Sequence, residues 1–268
     1  MTKGASKMRV LSLFDGISCG RLALDRAGIK VTRYVASEID KYAIGVSMAN
    51  WKDIERRGAV QDLNFEENEF DLLIGGSPCQ GLSRANNERL NLQDERSALF
   101  YEYIRIKNKV KPKYFLLENV VCDKQTEEII SEEMGVRPVL INSSLVSAQN
   151  RERLYWTNIP FEMPEDKGIV LQDILDKGRQ AKGRNKSYCI VSTFYKENIK
   201  SILQRNKHGL YCFDENDKPS KLNVEECERL QTLPTGYTKS VSQMRRYAAI
   251  GNGWTVDVIT HILKGIEK

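Results

Sequence analysis

Two apolar runs of this chain lead directly into side chains that could perform chemistry. The run 70–74 stops at two glycines and is followed by Pro78-Cys79, and the run 114–117 is followed by Glu118. Buried strands of an α/β sheet present the residues that follow them at one sheet edge. The glycine-containing loop favours an exposed thiol, so Cys79 is a candidate nucleophile and Glu118 a candidate proton donor beside it.

An acidic residue also follows three other apolar segments: Asp15 after 10–14, Glu38 after 31–36, and Asp62 after a short strand expected at 59–60. Glu38 lies 22 residues after Gly16, a spacing at which an acid commonly meets ribose hydroxyls. A solvated carboxylate at a strand end is the alternative interpretation. The turn 14–20 lacks the glycine pattern of dinucleotide enzymes, so the residues together, rather than one motif, predict a ligand site.

Strands and helices alternate along the first part of the chain. Helices are predicted over 19–27, 41–50 and 97–108, between the apolar strands. This alternation predicts an α/β fold with a doubly wound, Rossmann-like parallel sheet. Later strands are expected at 139–141 and 153–157, and later helices at 224–232 and 256–264.

Three units are predicted along the chain. Residues 1–160 form a catalytic and ligand-binding domain, 161–222 a small insert, and 223–268 a C-terminal segment that completes the first domain. The insert contains a basic window, 177–211, with nine Lys or Arg residues and one acid, in a chain whose net charge is +5. Such a local excess suits a polyanion such as nucleic acid, and a solvated Lys-rich face is the alternative. A strand-like piece is expected at 188–193.

The composition favours a globular enzyme and argues against several other classes. Hydrophobic residues make up 41% of the 268 residues, and no apolar stretch reaches the roughly 20 residues of a transmembrane helix. Residues 1–8 carry no apolar signal core. There are six cysteines without a Cys-x-x-Cys pair and two histidines, so no metal site is expected. Reduced thiols and a cytoplasmic location are expected.

Four motifs occur in an order that resembles one enzyme family. They are Pro78-Cys79-Gln80, Glu118-Asn119-Val120, Gln149-Asn150-Arg151-Glu152-Arg153 and Gly251-Asn252, and they are similar to the signatures of DNA cytosine-5 methyltransferases. The segments 13–17, 36–38 and 75–79 resemble the mammalian de novo branch and its bacterial and phage relatives. The resemblance covers 9–159 and 222–263 and is poor in the insert. Asn252-Gly253 departs from the Arg-Ser of the de novo branch and matches the wider bacterial pattern.

This resemblance implies a covalent mechanism. Cys79 would add as a thiolate to carbon 6 of cytosine, so that carbon 5 can attack a methyl sulfonium. Glu118 would hold N3 and the exocyclic amine, while Arg153, supported by Arg151 and Gln149, would bind the base carbonyl and order the site. Because a base within a duplex cannot reach a cleft, the target cytosine would be flipped out. The loop 80–94 could close over it.

The implied cofactor is S-adenosylmethionine, with S-adenosylhomocysteine as product. Asp15 and Gly16 would line its methionine end, Glu38 would bind the ribose, Asp62 would accept from the adenine amine, and Trp254 would be a pocket wall. The full set implied to bind it is Phe14, Asp15, Gly16, Ile17, Glu38, Ile39, Asp62, Leu63, Pro78, Leu99, Asn252 and Trp254.

The implied partner is double-stranded DNA. The insert would read its sequence, and its lysines and arginines would mainly grip phosphate. A cognate restriction endonuclease is a candidate partner, in a bacterial or phage-infected cell. Two alternatives stay open: a tRNA cytosine-5 methyltransferase, although its Cys-Phe-Thr tripeptide does not occur in this sequence, and a catalytically inactive DNA-binding homologue. The joint presence of Cys79, Glu118 and Arg153 argues against the second.

Overall fold

A seven-stranded sheet is the centre of the computed structural model, which describes residues 7–78, 98–205 and 209–267. Its strands are β1 Lys7–Leu13, β2 Lys30–Ser37, β3 Ile54–Arg56, β4 Leu72–Gly75, β5 Tyr114–Val120, β6 Val139–Asn142 and β7 Glu152–Thr157. Their order across the sheet is β3-β2-β1-β4-β5-β7-β6. The chain starts in the middle of the sheet and winds first to one side and then to the other, which confirms the predicted doubly wound α/β fold.

Strand β7 departs from the predicted parallel sheet. Strands β1 to β5 pair in parallel, whereas β7 lies antiparallel between β5 and β6. The expectation of a wholly parallel sheet is wrong here because only residues 143–151 separate β6 from β7. A parallel pair needs a crossover of about a dozen residues or more. As a consequence, the start of β7 lies beside the end of β5, with Arg153 paired to Val120.

Helices cover both faces of this sheet. They are α1 Cys19–Arg26, α2 Lys41–Asn50, α3 Ala98–Val110, α4 Lys124–Met134, α5 Leu171–Ile174, α6 Ile199–Gln204, α7 Val224–Leu230, α8 Gln243–Asn252 and α9 Val256–Leu263. Successive strand residues point to opposite faces, so Val10 packs in the cluster of α1, α2 and α9 while Leu11 packs with α3 and α4. Within the described ranges, no helix is long and apolar enough to cross a membrane.

Two predicted strands do not form. The third strand of the sheet lies at Ile54–Arg56 rather than at 59–60, and Val60–Asp62 is a turn of 3-10 helix. Gly58, with a φ of +72°, turns the chain between them. The piece 188–193 is not a strand either, because side chains rather than a neighbouring strand bond its backbone.

Four of the described helices, α4, α5, α6 and α8, lie where none is predicted. Helix α4 is capped by Asp123, whose carboxylate accepts from the amide of Thr126, and α8 begins after Ser242. The Asp-x-x-Thr cap is a local signal that precedes few apolar residues, so periodicity alone does not reveal α4.

The insert has little regular structure and shares the core of the sheet. It contains α5, α6 and a two-stranded antiparallel ribbon formed by β8 Tyr211–Phe213 and β9 Pro219–Lys221. Its buried Leu171, Ile190 and Phe194 belong to the same hydrophobic cluster as the sheet residue Val10. The C-terminal segment also contacts the sheet layer, because α9 packs against α1. The division into units 1–160, 161–222 and 223–268 stays a prediction.

Several basic side chains of the window 177–211 form hydrogen bonds or ion pairs within the protein. The Nζ of Lys186 donates to the backbone carbonyls of Ser144 at 2.7 Å, Ser147 at 3.0 Å and Ile169 at 2.5 Å. The expectation that this lysine grips phosphate is therefore replaced by a structural role. Four other basic residues of the window also have hydrogen-bond or ion-pair partners within the chain: Arg179 with Glu226, Lys182 with Asp217, Arg184 with Tyr211, and Arg205 with Glu197.

Replacing Lys186 by Met should lower the free energy of unfolding by about 2 kcal/mol, because three carbonyls lose a charged donor. The same replacement at the exposed Lys177 should change it by less than about 0.5 kcal/mol. Urea denaturation of both variants measures the difference. Equally small effects at both positions would contradict the structural role of Lys186.

Candidate active site

The turn after β1 brings two predicted ligand residues together. Phe14, Gly16 and Ser18 have φ angles of 56°, 57° and 62°, so the chain doubles back sharply at the end of the strand. The amide of Gly16 then donates to Oε2 of Glu38 at 2.8 Å. Because Glu38 follows β2, this hydrogen bond joins the ends of two neighbouring parallel strands, and the meeting of Glu38 with ribose hydroxyls stays a prediction.

The carboxylate of Glu38 is held almost entirely by backbone. Its Oε1 accepts from the amides of Ile39 at 2.7 Å and Asp40 at 2.8 Å, in addition to the bond from Gly16. An ionised carboxylate offers about four acceptor positions, so one remains for an incoming hydroxyl. The carboxylate borders a small depression lined by Asp15, Gly16, Ala36, Glu38, Ile44, Ser47 and Arg56.

Asp15 supports the turn from within the protein. Its carboxylate accepts from the hydroxyls of Ser12 at 2.6 Å, Ser18 at 2.5 Å and Tyr34 at 2.7 Å. Burial raises the pKa of Asp15, and the three hydroxyl donors oppose that shift. The structure therefore gives Asp15 the task of shaping the depression in which Gly16 and Glu38 meet.

The other predicted pocket residues differ in exposure. Asp62, Ile39 and Asn252 are exposed, Phe14, Pro78, Leu99 and Trp254 are half-buried, and Ile17 and Leu63 are buried. Phe14 and Leu99 pack against the same hydrophobic cluster, whereas Ile17 belongs to the cluster on the opposite face of the sheet. The structure thus brings Phe14 and Leu99 to one cluster but does not place Ile17 with them.

Glu118 is buried in β5 and both its oxygens have partners. The strand continues to Val120, beyond the predicted end at 117, and the side chain of Glu118 is only 11% exposed. Its Oε1 lies 3.0 Å from Nε of Arg153, on the adjacent antiparallel β7. Its Oε2 accepts from the indole Nε1 of Trp254 at 2.9 Å. Arg153 and Trp254, which are far from Glu118 in the sequence, therefore both contact its carboxylate.

The segment that leads to Cys79 is tied to this carboxylate motif. The side-chain amide of Asn119 donates to the hydroxyl of Ser77 at 3.2 Å, and both residues are buried. Pro78 is the last residue described before the gap. Cys79 and the predicted loop 80–94 lie outside the described residues.

The guanidinium of Arg151 is held by main-chain groups. It is buried, and its two Nη atoms donate to the backbone carbonyls of Ile190 at 3.1 Å, Gly251 at 3.3 Å and Gly253 at 3.0 Å. These contacts link the start of β7 to the insert and to the C-terminal segment, which is a structural role. The assignment of Arg151 to catalysis stays a prediction.

Gln149 makes the same kind of link. Its Oε1 accepts from the amide of Ile190 at 2.7 Å, and its Nε2 donates to the carbonyl of Leu230 at 3.3 Å. The two side chains therefore hold both polar backbone groups of Ile190.

Two residues of this region were missed by sequence reasoning. Gln231 donates to the carbonyls of Ile250 at 3.0 Å and Gly253 at 3.1 Å, and the thiol of Cys189 lies 3.1 Å from Nη1 of Arg151. A polar residue directly after the amphipathic α7 is a weak signal for Gln231, and the insert offers none for Cys189. In the described part of the chain, no group of three or more His, Cys, Asp or Glu residues could hold a metal ion.

A family model described as C-5 cytosine-specific DNA methylase matches residues 8–161 and 147–268. The two matches cover nearly the whole chain and include every motif residue described above. The chain belongs to this family.

Curated relatives carry names of the same kind. The orphan methyltransferase M.Rho11sI of Bacillus phage rho11s is 33% identical over 276 residues, a match that covers 93% of this chain and 53% of that protein. The type II methyltransferase M1.ScrFI of Lactococcus lactis subsp. cremoris is 28% identical, over 98% of this chain and 80% of that protein. The chain thus spans about half the length of the phage relative.

Solved structures show the same fold. The Entamoeba histolytica methyltransferase EhMeth matches with a TM-score of 0.75 and 13% identity, over 97% of this chain and 98% of that one. Spodoptera frugiperda DNMT2 matches with a TM-score of 0.70 and 19% identity, over 98% of this chain and all of that one. At these identities the likeness concerns the methyltransferase sheet and its helices.

Replacing Arg151 by Met should lower the free energy of unfolding by about 3 kcal/mol, since three carbonyls lose a buried charged donor. Met preserves most of the side-chain length, so the loss reports the hydrogen bonds rather than volume. The control is Arg137→Met at an exposed position, which should be nearly neutral. Thermal and urea unfolding measure both, and a neutral Arg151→Met would refute the structural role.

Proposed function

We propose that this chain is a DNA cytosine-5 methyltransferase that transfers a methyl group from S-adenosylmethionine to a flipped-out cytosine in a specific duplex sequence. The observation that carries the proposal is the meeting of Glu118 and Arg153 beside the segment that leads to Cys79. Family membership supplies the reaction class. The relatives include both an orphan and a type II methyltransferase, so an orphan role and a restriction-linked role both fit.

Glu118 and Arg153 offer the hydrogen-bonding groups that cytosine needs. The exocyclic amine of cytosine donates, and its carbonyl accepts. A carboxylate is an acceptor, whereas a guanidinium only donates. Glu118 would therefore hold the exocyclic amine while Arg153 holds the carbonyl, and the contact of Glu118 with N3, itself an acceptor, would need a proton shared between the carboxyl group and N3. Their 3.0 Å contact supports the proposal that both groups bind one base.

Cys79 would be the nucleophile, on the strength of the Pro-Cys motif in the sequence. Its thiolate would add to carbon 6 of the base, and carbon 5 would then take the methyl group. Loss of the proton from carbon 5 and departure of the thiolate would restore the aromatic ring. Because this chemistry needs the base out of the stack, the target nucleotide must be flipped, at a cost of a few kcal/mol.

The turn after β1 fits the cofactor. The space beside Gly16 is open, because a Cβ built there would meet no atom within 4 Å, and the anchored Glu38 keeps acceptor capacity for a ribose hydroxyl. Gly16, Glu38, Asp62 and Leu99 would hold the cofactor. S-adenosylmethionine bound there would supply an electrophilic methyl group.

Double-stranded DNA is the proposed partner, read by the insert 161–222. Because Lys186 bonds backbone carbonyls, we expect more exposed residues of the window, such as Lys177 and Lys200, to contact phosphate. We place this activity in the cytoplasm of a bacterial or phage-infected cell, at the nucleoid.

The reaction is tested by transfer of tritiated methyl groups from S-adenosylmethionine to duplex DNA and, in parallel, to tRNA. We expect label in DNA, and Cys79→Ala should abolish it while leaving cofactor affinity within about threefold, because the thiol is needed for the covalent step alone. Label in tRNA only would replace the proposal by the tRNA enzyme. The absence of label from both substrates would favour an inactive DNA-binding homologue.

The cofactor site is tested by calorimetry. Glu38→Ala should weaken S-adenosylmethionine binding at least about tenfold, because it removes a charged acceptor from the ribose. Asp62→Ala should weaken binding for the same reason at the adenine amine. Glu132→Ala, at an exposed position on α4, is the matched control and should bind as the wild type does. Unchanged affinity in both site variants would remove Glu38 and Asp62 from the pocket.

A further inference from the structure

Trp254 makes a contact that a cofactor-pocket wall does not require. It lies between α8 and α9, and its indole Nε1 donates to Oε2 of Glu118 at 2.9 Å. The other oxygen of the same carboxylate faces Nε of Arg153. Rotation of the carboxylate about its terminal bond would break both contacts, so the two donors fix its plane.

The backbone on either side of the indole is held as well. The carbonyl of Gly253 accepts from Arg151 at 3.0 Å and from Gln231 at 3.1 Å. The hydroxyl of Thr255 donates to Oε1 of the same Gln231 at 2.8 Å. Trp254 therefore reaches Glu118 from a short connection whose position is set by buried polar side chains.

Space for this contact depends on Gly76. A Cβ built on Gly76 would lie 2.9 Å from Oε2 of Glu118 and 3.0 Å from Nε1 of Trp254. The φ of Gly76 is not positive, so its conformation does not demand glycine. What demands it is the hydrogen bond itself, because any side chain would push the carboxylate and the indole apart.

The chemistry of the two donors selects one form of the side chain. An indole N–H and a guanidinium N–H both donate and cannot accept. Both oxygens of Glu118 must therefore act as acceptors, which an ionised carboxylate does. An amide at this position would have to turn its NH₂ group toward one of the two donors.

We propose that Trp254 is a positioning residue for methyl transfer: its indole N–H orients the carboxylate of Glu118 toward the target base. This inference rests on the proposed function for its kinetic part only. It differs from the sequence-based expectation, in which Trp254 acts through its ring as a wall of the cofactor pocket.

The hydrogen bond is tested without any enzyme assay. The chain has three tryptophans, so a spectrum of the full chain with ¹⁵N-labelled tryptophan has three indole signals, and Trp254→Phe identifies one of them. Glu118→Gln should move the Trp254 signal and leave those of Trp51 and Trp156, which donate to Tyr237 and Ser131. A Trp254 signal unmoved by Glu118→Gln overturns the proposal.

Gly76→Ala provides an independent perturbation of the same contact. It should move the Trp254 signal, because the added methyl group would occupy the space between indole and carboxylate. Gly45→Ala is the control, since a Cβ there meets only Val241, at 3.8 Å, and it should leave the signal in place. Equal spectra for both alanine variants would contradict the packing argument.

Kinetics separate positioning from a pocket-wall role. Phe at position 254 keeps an aromatic ring but has no N–H, so Trp254→Phe should slow single-turnover methyl transfer about tenfold while the Kd of S-adenosylmethionine stays within about threefold. Trp51→Phe removes an equivalent indole hydrogen bond elsewhere and should keep the wild-type rate. A wild-type rate for Trp254→Phe, or a loss confined to cofactor affinity, overturns the positioning role.

The two levels of inference fail separately. If the wild type methylates neither DNA nor tRNA, the proposed function fails, while the indole signals still decide whether Trp254 holds Glu118. If the wild type methylates its substrate but the Trp254 signal does not move in Glu118→Gln, the positioning role fails and the proposed function stands.

Discussion

The antiparallel insertion of β7 between β5 and β6 is the constraint on which the site depends. A parallel strand in that place would carry Arg153 to the opposite edge of the sheet, about the length of the strand away from Glu118. Because the connection 143–151 is short, the chain returns antiparallel. The strand then begins where β5 ends, and the guanidinium of Arg153 reaches the carboxylate across one strand pair. The length of the connection 143–151 thus decides whether Arg153 lies at the same edge of the sheet as Glu118.

Around Glu118 and Arg153, buried polar side chains hold separate chain segments together, as apolar packing does elsewhere in the protein. Arg151, Gln149 and Gln231 bond backbone carbonyls and amides of the insert and of the C-terminal segment. Buried donors and acceptors are costly unless paired, so these bonds specify one arrangement of three chain segments that are far apart in sequence. The hydrophobic cluster that extends from the sheet into the insert contributes buried apolar surface, whereas the polar contacts fix the relative positions of the three segments.

Much of the sheet and part of the site could be predicted from the sequence for physical reasons. Apolar runs that end in glycine or acid predict strands and the edge that they share, and Gly16 and Glu38 lie together at that edge. Glu118 and Arg153 are brought together as the motif resemblance implies. The pattern fails where no local signal exists. Trp254 meets Glu118 across 136 residues of chain, and no periodicity connects them.

Charge in the sequence was also a poor guide to charge at the surface. Lys186 and Arg179 each count as one positive charge in the basic window, yet Lys186 bonds three carbonyls and Arg179 pairs with a buried glutamate. A count of basic residues therefore overstates the number of side chains available to contact a phosphate. Only the partners of each side chain, which depend on tertiary contacts, reveal this.

The grip of Gln149 and Arg151 on Ile190 has a consequence for how such enzymes can diversify. Both contacts go to the amide and the carbonyl of the main chain, and every residue except proline carries both groups. These two hydrogen bonds therefore place no requirement on the side chain at position 190 beyond its fit in the core. Substitutions can accumulate along the neighbouring insert while the attachment to the catalytic sheet is inherited unchanged. A clamp on main-chain atoms therefore tolerates changes of sequence in the segment that it holds.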